Sequence, residues 1–266
     1  MSTAARLPYR TLLDSAHALA DLSGAAILPY FRRAMAIDNK ATTGFDPVTA
    51  ADRGAERAIR EALAQRHPEH AILGEEYGGQ ASRSPYTWVI DPIDGTKAFI
   101  TGMPLWGTLI GLTHEGRATL GLMDQPFTRE RVWAGPDASF WRLPGGRAKR
   151  IATRSCARLG EAILSTTSPD LFSKTERAAF ERIKSRVRLT RFGGDCYAYC
   201  LLAAGHIDLV VEAGLKPYDV MALIPIIERA GGRITTWDGE RPEGGGRIVA
   251  AGDPGLHAAA LEVLAG

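Results

Sequence analysis

The stretch WVIDPIDGTKAF, residues 88–99, places two aspartates at the end of an apolar run. Asp91 and Asp94 bracket a proline and lead directly into Gly95 and Thr96. A carboxylate at the end of a buried strand costs free energy unless a cation compensates it, and each of the two raises the cost of ionising the other. A divalent cation removes both penalties, and a ligand set of oxygen atoms alone favours Mg²⁺ before Zn²⁺. The stretch therefore predicts a magnesium site.

The residues after the second aspartate add a second feature. Gly95 and Thr96 are expected to open a helix, or at least a nest of free amides, and such a site binds an anion, above all a phosphate. The hydroxyl of Thr96 is also able to orient a water molecule. Metal-binding carboxylates beside a phosphate site indicate phosphoryl chemistry. For the segment DPIDG by itself an ordinary turn is the alternative, because Asp-Pro and Asp-Gly are common turn pairs.

Two other acidic turns have a similar placement. Glu75 and Glu76 follow a short apolar strand and a glycine, and Asp219 begins a predicted helix seven residues after Glu212. If these groups converge at one edge of the fold, two metal ions about 3.5 to 4 Å apart fit among them; one activates water and both stabilise charge on the phosphate. For Asp219 alone, a helix N-cap is the alternative.

Composition sets the broad class. The 266 residues suit one large domain or two modest ones, and 45% hydrophobic with 23% charged residues is typical of a soluble globular protein. The 32 basic and 30 acidic residues leave a net charge of +2, which gives no support for binding to nucleic acid or to a membrane. Three cysteines, no signal-peptide pattern and no long apolar run predict a cytoplasmic location.

Apolar spacing and turn residues predict the elements of the first half. Residues 9–32 form an amphipathic helix, and a second helix is capped by Thr49 or Asp52 and closed by Pro68. A buried strand is expected to stop at Pro92, which cannot continue a hydrogen-bonded ladder. Three apolar runs over residues 105–135 then predict an antiparallel meander.

The second half alternates strands and helices, which predicts a layered α/β arrangement. Pro225 lies inside the helix predicted for DVMALIPIIERAGG and is expected to kink it. The glycine-rich basic loop Arg142–Arg150 is the predicted boundary between an N-terminal domain, residues 1–145, and a C-terminal domain, residues 146–266.

The motif DPIDGTKAF, with GEE upstream and DVMALIPIIERAGG downstream, resembles the inositol monophosphatase family of Mg²⁺-dependent, lithium-sensitive phosphatases. The resemblance runs from DPVTAADR to Gly232. It implies the α/β fold of that family, a layered α-β-α-β-α sandwich of the inositol monophosphatase and fructose-1,6-bisphosphatase type. It also implies a homodimer and two or three Mg²⁺ ions in each site.

The resemblance assigns the metal ligands residue by residue. Glu75, Asp91 and the backbone carbonyl of Ile93 would hold the first metal. Asp91, Asp94 and Asp219 would hold the second.

The same resemblance implies roles around the phosphate. Thr96 with Glu75 would position the attacking water, and the amides of Gly95 and Thr96 would hold the phosphate. Asp46 and Thr49, in DPVTAAD, match a segment that orients the water network at the metals.

Three positions concern the substrate side. Glu212 matches a position that contacts substrate hydroxyls. Tyr218 stands where the family usually has tryptophan, a departure that leaves the adjacent metal ligand in place. Arg191 is interpreted either as structural or as a residue that helps a partner subunit complete its site, and the sequence leaves both open.

The choice of ester depends on Asp195. Within the family the chain is most similar to the histidinol-phosphate phosphatase branch, and Asp195 stands where inositol-specific members tend to carry a small residue. Asp195 and Glu212 would offer two negative charges to the leaving group, which favours the ammonium and imidazole of histidinol over neutral inositol. An N-cap of the following helix is the alternative for Asp195.

The sequence thus predicts a metal-dependent phosphomonoesterase that hydrolyses L-histidinol phosphate in histidine biosynthesis. An inositol-1-phosphate phosphatase, either specific or of broad specificity, is the alternative within the same class, and bisphosphorylated substrates are disfavoured. A regulatory module that binds the RNA machinery is the alternative of another class. The intact set of acidic residues with Thr96 argues against it, because a binding role alone does not require them.

Overall fold

A computed structural model describes residues 8–34, 36–40, 42 and 47–266 of the chain. Its α-helices are α1 (Tyr9–Ile27), α2 (Ala50–Arg66), α3 (Thr96–Ile100), α4 (Lys174–Lys184), α5 (Asp195–Ala203), α6 (Pro217–Val220), α7 (Leu223–Ala230) and α8 (Pro254–Ala265). Among the described residues, no helix is both long enough and apolar enough to cross a membrane.

The strands form three sheets. The first half of the chain contributes β1 (Ile37–Asn39), β2 (Pro47–Thr49), β3 (Ala71–Gly74), β4 (Gly78–Gln80), β5 (Tyr86–Asp94), β6 (Gly107–His114), β7 (Arg117–Gln125), β8 (Glu130–Ala134), β9 (Ser139–Arg142) and β10 (Lys149–Ile151). The second half contributes β11 (Ile163–Thr166), β12 (Leu189–Phe192), β13 (Leu209–Leu215), β14 (Arg233–Thr236) and β15 (Gly246–Ala251). An eight-stranded sheet has the order β10-β9-β8-β7-β6-β5-β3-β4, a five-stranded sheet has the order β12-β11-β13-β15-β14, and β1 pairs with β2.

Helices and sheets alternate in five layers, as expected. Helices α1 and α2 pack on one face of the eight-stranded sheet, and α5, α6 and α7 lie between the two sheets. Helices α4 and α8 cover the outer face of the five-stranded sheet. Separate apolar clusters fill the three interfaces, and the central one joins the two sheets through α5 and α7. The fold is therefore the predicted α-β-α-β-α sandwich.

The meander over β6, β7 and β8 is confirmed, and the second half alternates as predicted. The sequence analysis did not predict β14, the segment RITT, which pairs antiparallel with β15. The loop Arg142–Arg150 joins β9 to β10 as a hairpin at the edge of the large sheet. The division of the chain into two domains at this loop remains a prediction.

Two expectations about proline had different outcomes. Strand β5 does not stop at Pro92 but continues to Asp94, through a register shift between Asp91 and Asp94. The expected stop is wrong because the pairing of β5 with β3 ends at Ile90. Pro92 therefore faces no β3 residue that would require a hydrogen bond from its missing N–H. Pro225 does interrupt its helix, which divides into α6 and α7, because the proline has no N–H to donate to the carbonyl four residues earlier.

Candidate active site

The central stretch of the site is the end of β5 and the turn that follows it. The bulge after Asp91 lets its Oδ1 accept a hydrogen bond from the backbone N–H of Ile93, at 3.0 Å. Gly95 has φ of 85°, a left-handed conformation that glycine adopts without strain, and it begins the short helix α3 as predicted. Two carboxylates are thereby presented on one side of the strand end.

Asp219 joins these two aspartates from the other half of the chain. One carboxylate oxygen from each of Asp91, Asp94 and Asp219 lies within 4.8 Å of the other two. The expected convergence of the two acidic motifs is thus present in the structure. Asp219 is the third residue of α6 and accepts a hydrogen bond at 2.6 Å from the N–H of Lys216, which is the N-cap, so the alternative of an N-cap at Asp219 is wrong.

The electrostatics of this cluster favour a bound cation. Burial, followed by the neighbouring carboxylates, raises the pKa of Asp91 and of Asp94 well above the ordinary value. Burial also raises the pKa of Asp219 to about 7. Within the described residues, no lysine or arginine forms an ion pair with any of the three. A donor set made only of carboxylate oxygens, buried and uncompensated, fits a hard divalent cation.

Glu75 lies beside the cluster on the turn after β3. Burial raises its pKa, and its carboxylate accepts a hydrogen bond from Lys40 Nζ at 2.7 Å. The same ammonium lies 2.9 Å from Glu76 Oε1. Burial acts to lower the pKa of Lys40, but the two glutamates outweigh it and raise that pKa. Lys40 thus supplies positive charge beside Glu75 and Glu76.

A buried glutamate of α2 holds this turn in place. Glu56 accepts hydrogen bonds from the backbone N–H groups of Glu76, at 2.7 Å, and Tyr77, at 3.2 Å. Its partner cation is Arg60, whose Nε lies 2.7 Å away. The absence of a side chain at Gly74 makes room for it, because a Cβ there would lie 2.0 Å from Glu56 Oε1. Sequence reasoning missed this residue, since a glutamate within a helix normally faces solvent.

The segment DPVTAAD is only partly described. Asp46 lies outside the described residues. Thr49 is the N-cap of α2, and its backbone N–H and hydroxyl both donate to Asp52 Oδ2, at 2.8 and 2.6 Å. Thr49 does not itself line the central cavity.

Asp52 is a functional candidate that sequence reasoning treated only as a possible cap. It is fully buried, and its Oδ1 has no hydrogen-bond partner among the described residues. Burial raises its pKa, with a smaller contribution from the charge of Glu75. The capping-box spacing from Thr49 was the available signal, but that pattern explains only one of its two oxygens.

A cavity of about 570 Å³ contains most of the predicted site residues. Those that line it are Glu75, Asp91, Ile93, Asp94, Gly95, Thr96, Asp195, Glu212, Tyr218 and Asp219. Arg191 does not line it; this residue lies on β12, an edge strand, with its side chain exposed. Its suggested action at a partner subunit remains a prediction.

Asp195 and Glu212 both line the cavity, and the charge of Asp195 contributes to raising the pKa of Glu212. The N-cap of α5 is Gly194, so the capping alternative for Asp195 is wrong. Asp195 instead has φ of 42°, a strained left-handed conformation for a residue with a side chain. Burial raises its pKa to about 6, and the charge of Lys97 opposes that shift.

Glu212 is held rigidly. Its Oε1 accepts from the N–H and the hydroxyl of Thr167, at 2.7 and 2.9 Å, and its Oε2 accepts from the hydroxyl of Thr166 at 3.2 Å. Burial raises its pKa to about 7, although these hydrogen bonds act in the opposite direction. A positive group in the cavity would favour the ionised form of both Asp195 and Glu212.

Comparisons with known proteins agree with this geometry. The sequence profile of the inositol monophosphatase family matches residues 9–265. A bifunctional phosphatase IMPL2 of Arabidopsis thaliana, a chloroplastic protein, is 48% identical over 93% of this chain and 73% of its own length. A histidinol-phosphatase of Mycobacterium tuberculosis is 36% identical over 77% of this chain and 79% of its own. The structure of an inositol monophosphatase from Zymomonas mobilis is 44% identical, with a TM-score of 0.86 over 98% of this chain and 100% of the other.

Proposed function

Since the chain belongs to the inositol monophosphatase family, and is thereby a metal-dependent phosphomonoesterase, we propose that it hydrolyses L-histidinol phosphate to L-histidinol and phosphate. The observation that carries the choice of ester is the pair of carboxylates, Asp195 and Glu212, that line the cavity in addition to the proposed metal ligands. The relative named histidinol-phosphatase supports it.

The metal would be Mg²⁺, held by Glu75, Asp91, the carbonyl of Ile93, Asp94 and Asp219. When bound, two or three such ions supply an activated water and stabilise the charge on the phosphate and on the leaving oxygen. The protein contributes a rigid donor set, because Asp91 is fixed by Ile93 and Asp94 accepts from the N–H of Cys196 at 2.7 Å.

Thr96 and its neighbours would orient the reacting groups. The Thr96 hydroxyl donates to the Ile93 carbonyl at 3.1 Å, which leaves its oxygen free to accept a hydrogen bond from the attacking water. The amides of Gly95 and Thr96 would bind the phosphate. The unpaired oxygen of Asp52, near Glu75, is available to hold a water molecule of the same network.

The leaving group would lie between Asp195 and Glu212. Histidinol presents an ammonium, which needs charged acceptors, whereas inositol presents only neutral hydroxyls. With the other four acidic side chains of the cavity bound to metal, these two carboxylates are the ones available to the ammonium. Charge-assisted hydrogen bonds of this kind are worth about 1.5 to 3 kcal/mol each.

Phosphate release by the purified protein tests the proposal. We expect turnover of L-histidinol phosphate that requires Mg²⁺ and stops with a chelator. Its kcat/KM should be about 10²-fold higher than that of inositol 1-phosphate, because the uncharged inositol cannot make the two charge-assisted contacts. The structure from Zymomonas mobilis, described as an inositol monophosphatase, makes inositol 1-phosphate the second candidate. A preference for that ester would retain the metal site and overturn the choice of substrate.

Asp195→Asn is expected to lower kcat/KM for L-histidinol phosphate by about 10- to 100-fold, because it removes one charge-assisted hydrogen bond to the ammonium. Turnover of an ester with an uncharged alcohol, such as inositol 1-phosphate, should change less than about 3-fold, since inositol has no cationic group to pair with Asp195. Steady-state kinetics of both esters measure the difference.

Asp253→Asn is the matched control for this substitution. Asp253 is also an aspartate at the start of a helix, but it caps α8 and does not line the cavity. Its replacement should leave both esters unaffected. Equal losses on the two esters in Asp195→Asn would contradict the charge-matching argument.

A further inference from the structure

Thr167 lies just beyond the end of β11, is half-buried, and lines the central cavity. Strand β11 is parallel to both of its neighbours, β12 and β13. If the two ladders are counted on from their last paired residues, Thr167 stands opposite Gly193, which follows β12, and opposite Glu212 of β13. The carboxyl ends of parallel strands are the usual place for a ligand in an open α/β sheet, so Thr167 has the position of a site residue.

Three polar groups of Thr167 bind these two neighbours. Its N–H and its hydroxyl both donate to Glu212 Oε1, at 2.7 and 2.9 Å. Its carbonyl accepts a hydrogen bond from the N–H of Gly193 at 2.9 Å. Gly193 has φ of 76° and leads through Gly194 to Asp195. One threonine thus joins the carboxylate of Glu212 to the turn that presents Asp195.

The same turn is also fixed at its other end. The N–H of Cys196 donates to Asp94 Oδ2 at 2.7 Å. A Cβ at Gly95 would lie 3.1 Å from both Cβ and Cγ of Asp195, so the Asp195 side chain packs directly on the proposed phosphate-binding turn. Contacts at both ends therefore hold Asp195 in its left-handed conformation, and Thr167 provides the contact at the end nearer to Glu212.

The hydrogen bonds of Glu212 determine which of its atoms is available to a ligand. Each oxygen of a carboxylate accepts about two hydrogen bonds. Thr167 donates both of those that Oε1 receives, and the hydroxyl of Thr166 donates one to Oε2 at 3.2 Å. Counted over the described residues, one acceptor position therefore remains, and it is on Oε2.

The hydroxyl of Thr167 adds rigidity to this carboxylate. Oε1 already accepts the backbone N–H, so the hydroxyl beside it is the donor of the second bond. A glutamate side chain has several rotatable bonds, and a ligand that must immobilise it binds more weakly than one that meets it already fixed. Two donors on one oxygen hold the other oxygen in place before the substrate arrives.

We propose that Thr167 is a positioning residue for the leaving alcohol: its hydroxyl fixes Glu212 Oε1 and leaves Oε2 as the atom that accepts a hydrogen bond from the alcohol. In L-histidinol the donor is the ammonium. This inference rests on the proposed function and deepens it, since it names the atom of Glu212 that meets the substrate. Thr167 acts on the alcohol and not on the phosphate, for which the proposed donors are the amides of Gly95 and Thr96.

Thr167→Val tests the inference, because valine has nearly the same shape and keeps both backbone hydrogen bonds but lacks the hydroxyl. In the Mg²⁺-loaded enzyme, the inhibition constant of the product L-histidinol should rise about 10-fold. The inhibition constant of inorganic phosphate, which lacks the alcohol, should stay within about 2-fold. Thr167→Ser restores the hydroxyl without the methyl group, and inhibition by L-histidinol should return to within about 2-fold of the wild-type value.

Thr119→Val is the matched control. Thr119 is also a half-buried threonine whose hydroxyl donates one hydrogen bond, at 3.0 Å to the carbonyl of Leu112, but it does not line the cavity. Loss of that bond should lower Tm and leave both inhibition constants unchanged. If Thr167→Val does not fold, Thr167→Ala and Thr167→Ser give the same comparison, because alanine and serine differ only in the hydroxyl.

Unchanged inhibition by L-histidinol in Thr167→Val, equal changes for L-histidinol and phosphate, or no recovery in Thr167→Ser would each overturn the role of Thr167. Failure of the wild-type enzyme to hydrolyse L-histidinol phosphate would instead overturn the proposed substrate. In that case, the alcohol released from the ester that the enzyme does hydrolyse takes the place of L-histidinol. Weaker inhibition of Thr167→Val by that alcohol, with phosphate unchanged, would support the role of Thr167, and unchanged inhibition would refute it.

Discussion

Asp91→Asn is expected to lower turnover by at least about 10³-fold and, at the same time, to raise the thermal stability of the metal-free protein. The loss of turnover follows because Asp91 is the proposed ligand common to both metals, and a metal supplies several kcal/mol of charge stabilisation in the transition state. The gain in stability follows because the pKa of Asp91 lies well above its ordinary value, through burial first and then through Glu75, Asp94 and Asp219. A raised pKa means that the ionised carboxylate costs folding free energy, and a neutral amide removes that cost.

Thermal unfolding with Mg²⁺ and with chelator measures both effects. Wild-type protein should gain about 2.7 kcal/mol of stability at a Mg²⁺ concentration 100 times the dissociation constant, and Asp91→Asn should gain little. The backbone contact is retained in the variant, because the asparagine Oδ1 can still accept from the N–H of Ile93. Loss of activity therefore would not reflect a collapsed turn.

Asp124→Asn separates this effect from the general consequence of neutralising a buried aspartate. Asp124 is also buried with a raised pKa, but it is paired with Arg131, whose Nε lies 2.6 Å from Oδ1. Its replacement should lower stability, because a buried arginine loses a partner, and should preserve the gain on adding Mg²⁺. A variant Asp91→Asn that still gained full stability from Mg²⁺ would show that Asp91 is not a metal ligand.

The proximity of Asp91 and Asp94 illustrates what the sequence can and cannot predict. Residues three apart in a regular strand point to opposite faces, so spacing alone places the two carboxylates apart. The register shift between Asp91 and Asp94, in the pairing of β5 with β6, brings them to one side, and it lies just beyond Ile90, where the pairing of β5 with β3 ends. Local motifs identified the acidic residues, but their geometry depends on pairing between strands that the local sequence does not specify.

Helices and the meander were predictable because their periodicity is local. Strand β14 was missed because RITT is short and follows a helix directly, so its assignment depends on pairing with β15. Glu56 and Asp52 were passed over as functional candidates for a related reason. Each lies in a helix whose pattern is fully explained without function, and only the fold shows that both are buried beside the turn of Glu75.

Gly121→Ala is expected to destabilise the protein by about 3 kcal/mol or more, a fall in Tm of about 6–12 °C. Gly121 of β7 is paired with Gly111 of β6, and these two positions face the joint between α6 and α7. A Cβ at Gly121 would lie 1.8 Å from the carbonyl oxygen of Ala222 and 2.7 Å from its carbonyl carbon. The obstacle is backbone, which cannot rotate away as a side chain can, so the joint itself must move.

Two other glycines provide a graded control. A Cβ at Gly111 would lie 3.1 Å from Ala222 N, so Gly111→Ala should cost only about 1 kcal/mol. A Cβ at Gly54, within α2, would meet no atom within 4 Å, so Gly54→Ala should raise stability by about 0.5–1 kcal/mol through helix propensity. Denaturant unfolding measures the free energy of unfolding of the three variants and so ranks their stabilities. Equal stability of Gly121→Ala and Gly111→Ala would contradict the described packing of Gly121 against Ala222.

Gly121→Ala also tests whether packing between the two sheets determines the position of Asp219 in the proposed metal site. Ala222, which a Cβ at Gly121 would contact, follows Asp219 by three residues, and Asp219 is the member of the acidic cluster that comes from the second half of the chain. Movement of the joint should therefore move this carboxylate away from Asp91 and Asp94, and weaken Mg²⁺ binding by about 10-fold or more in the fraction that remains folded. Calorimetric titration of metal below the Tm of the variant measures this. Unchanged Mg²⁺ affinity in a destabilised Gly121→Ala protein would mean that β5 and α6 are held together by contacts other than the glycine pair.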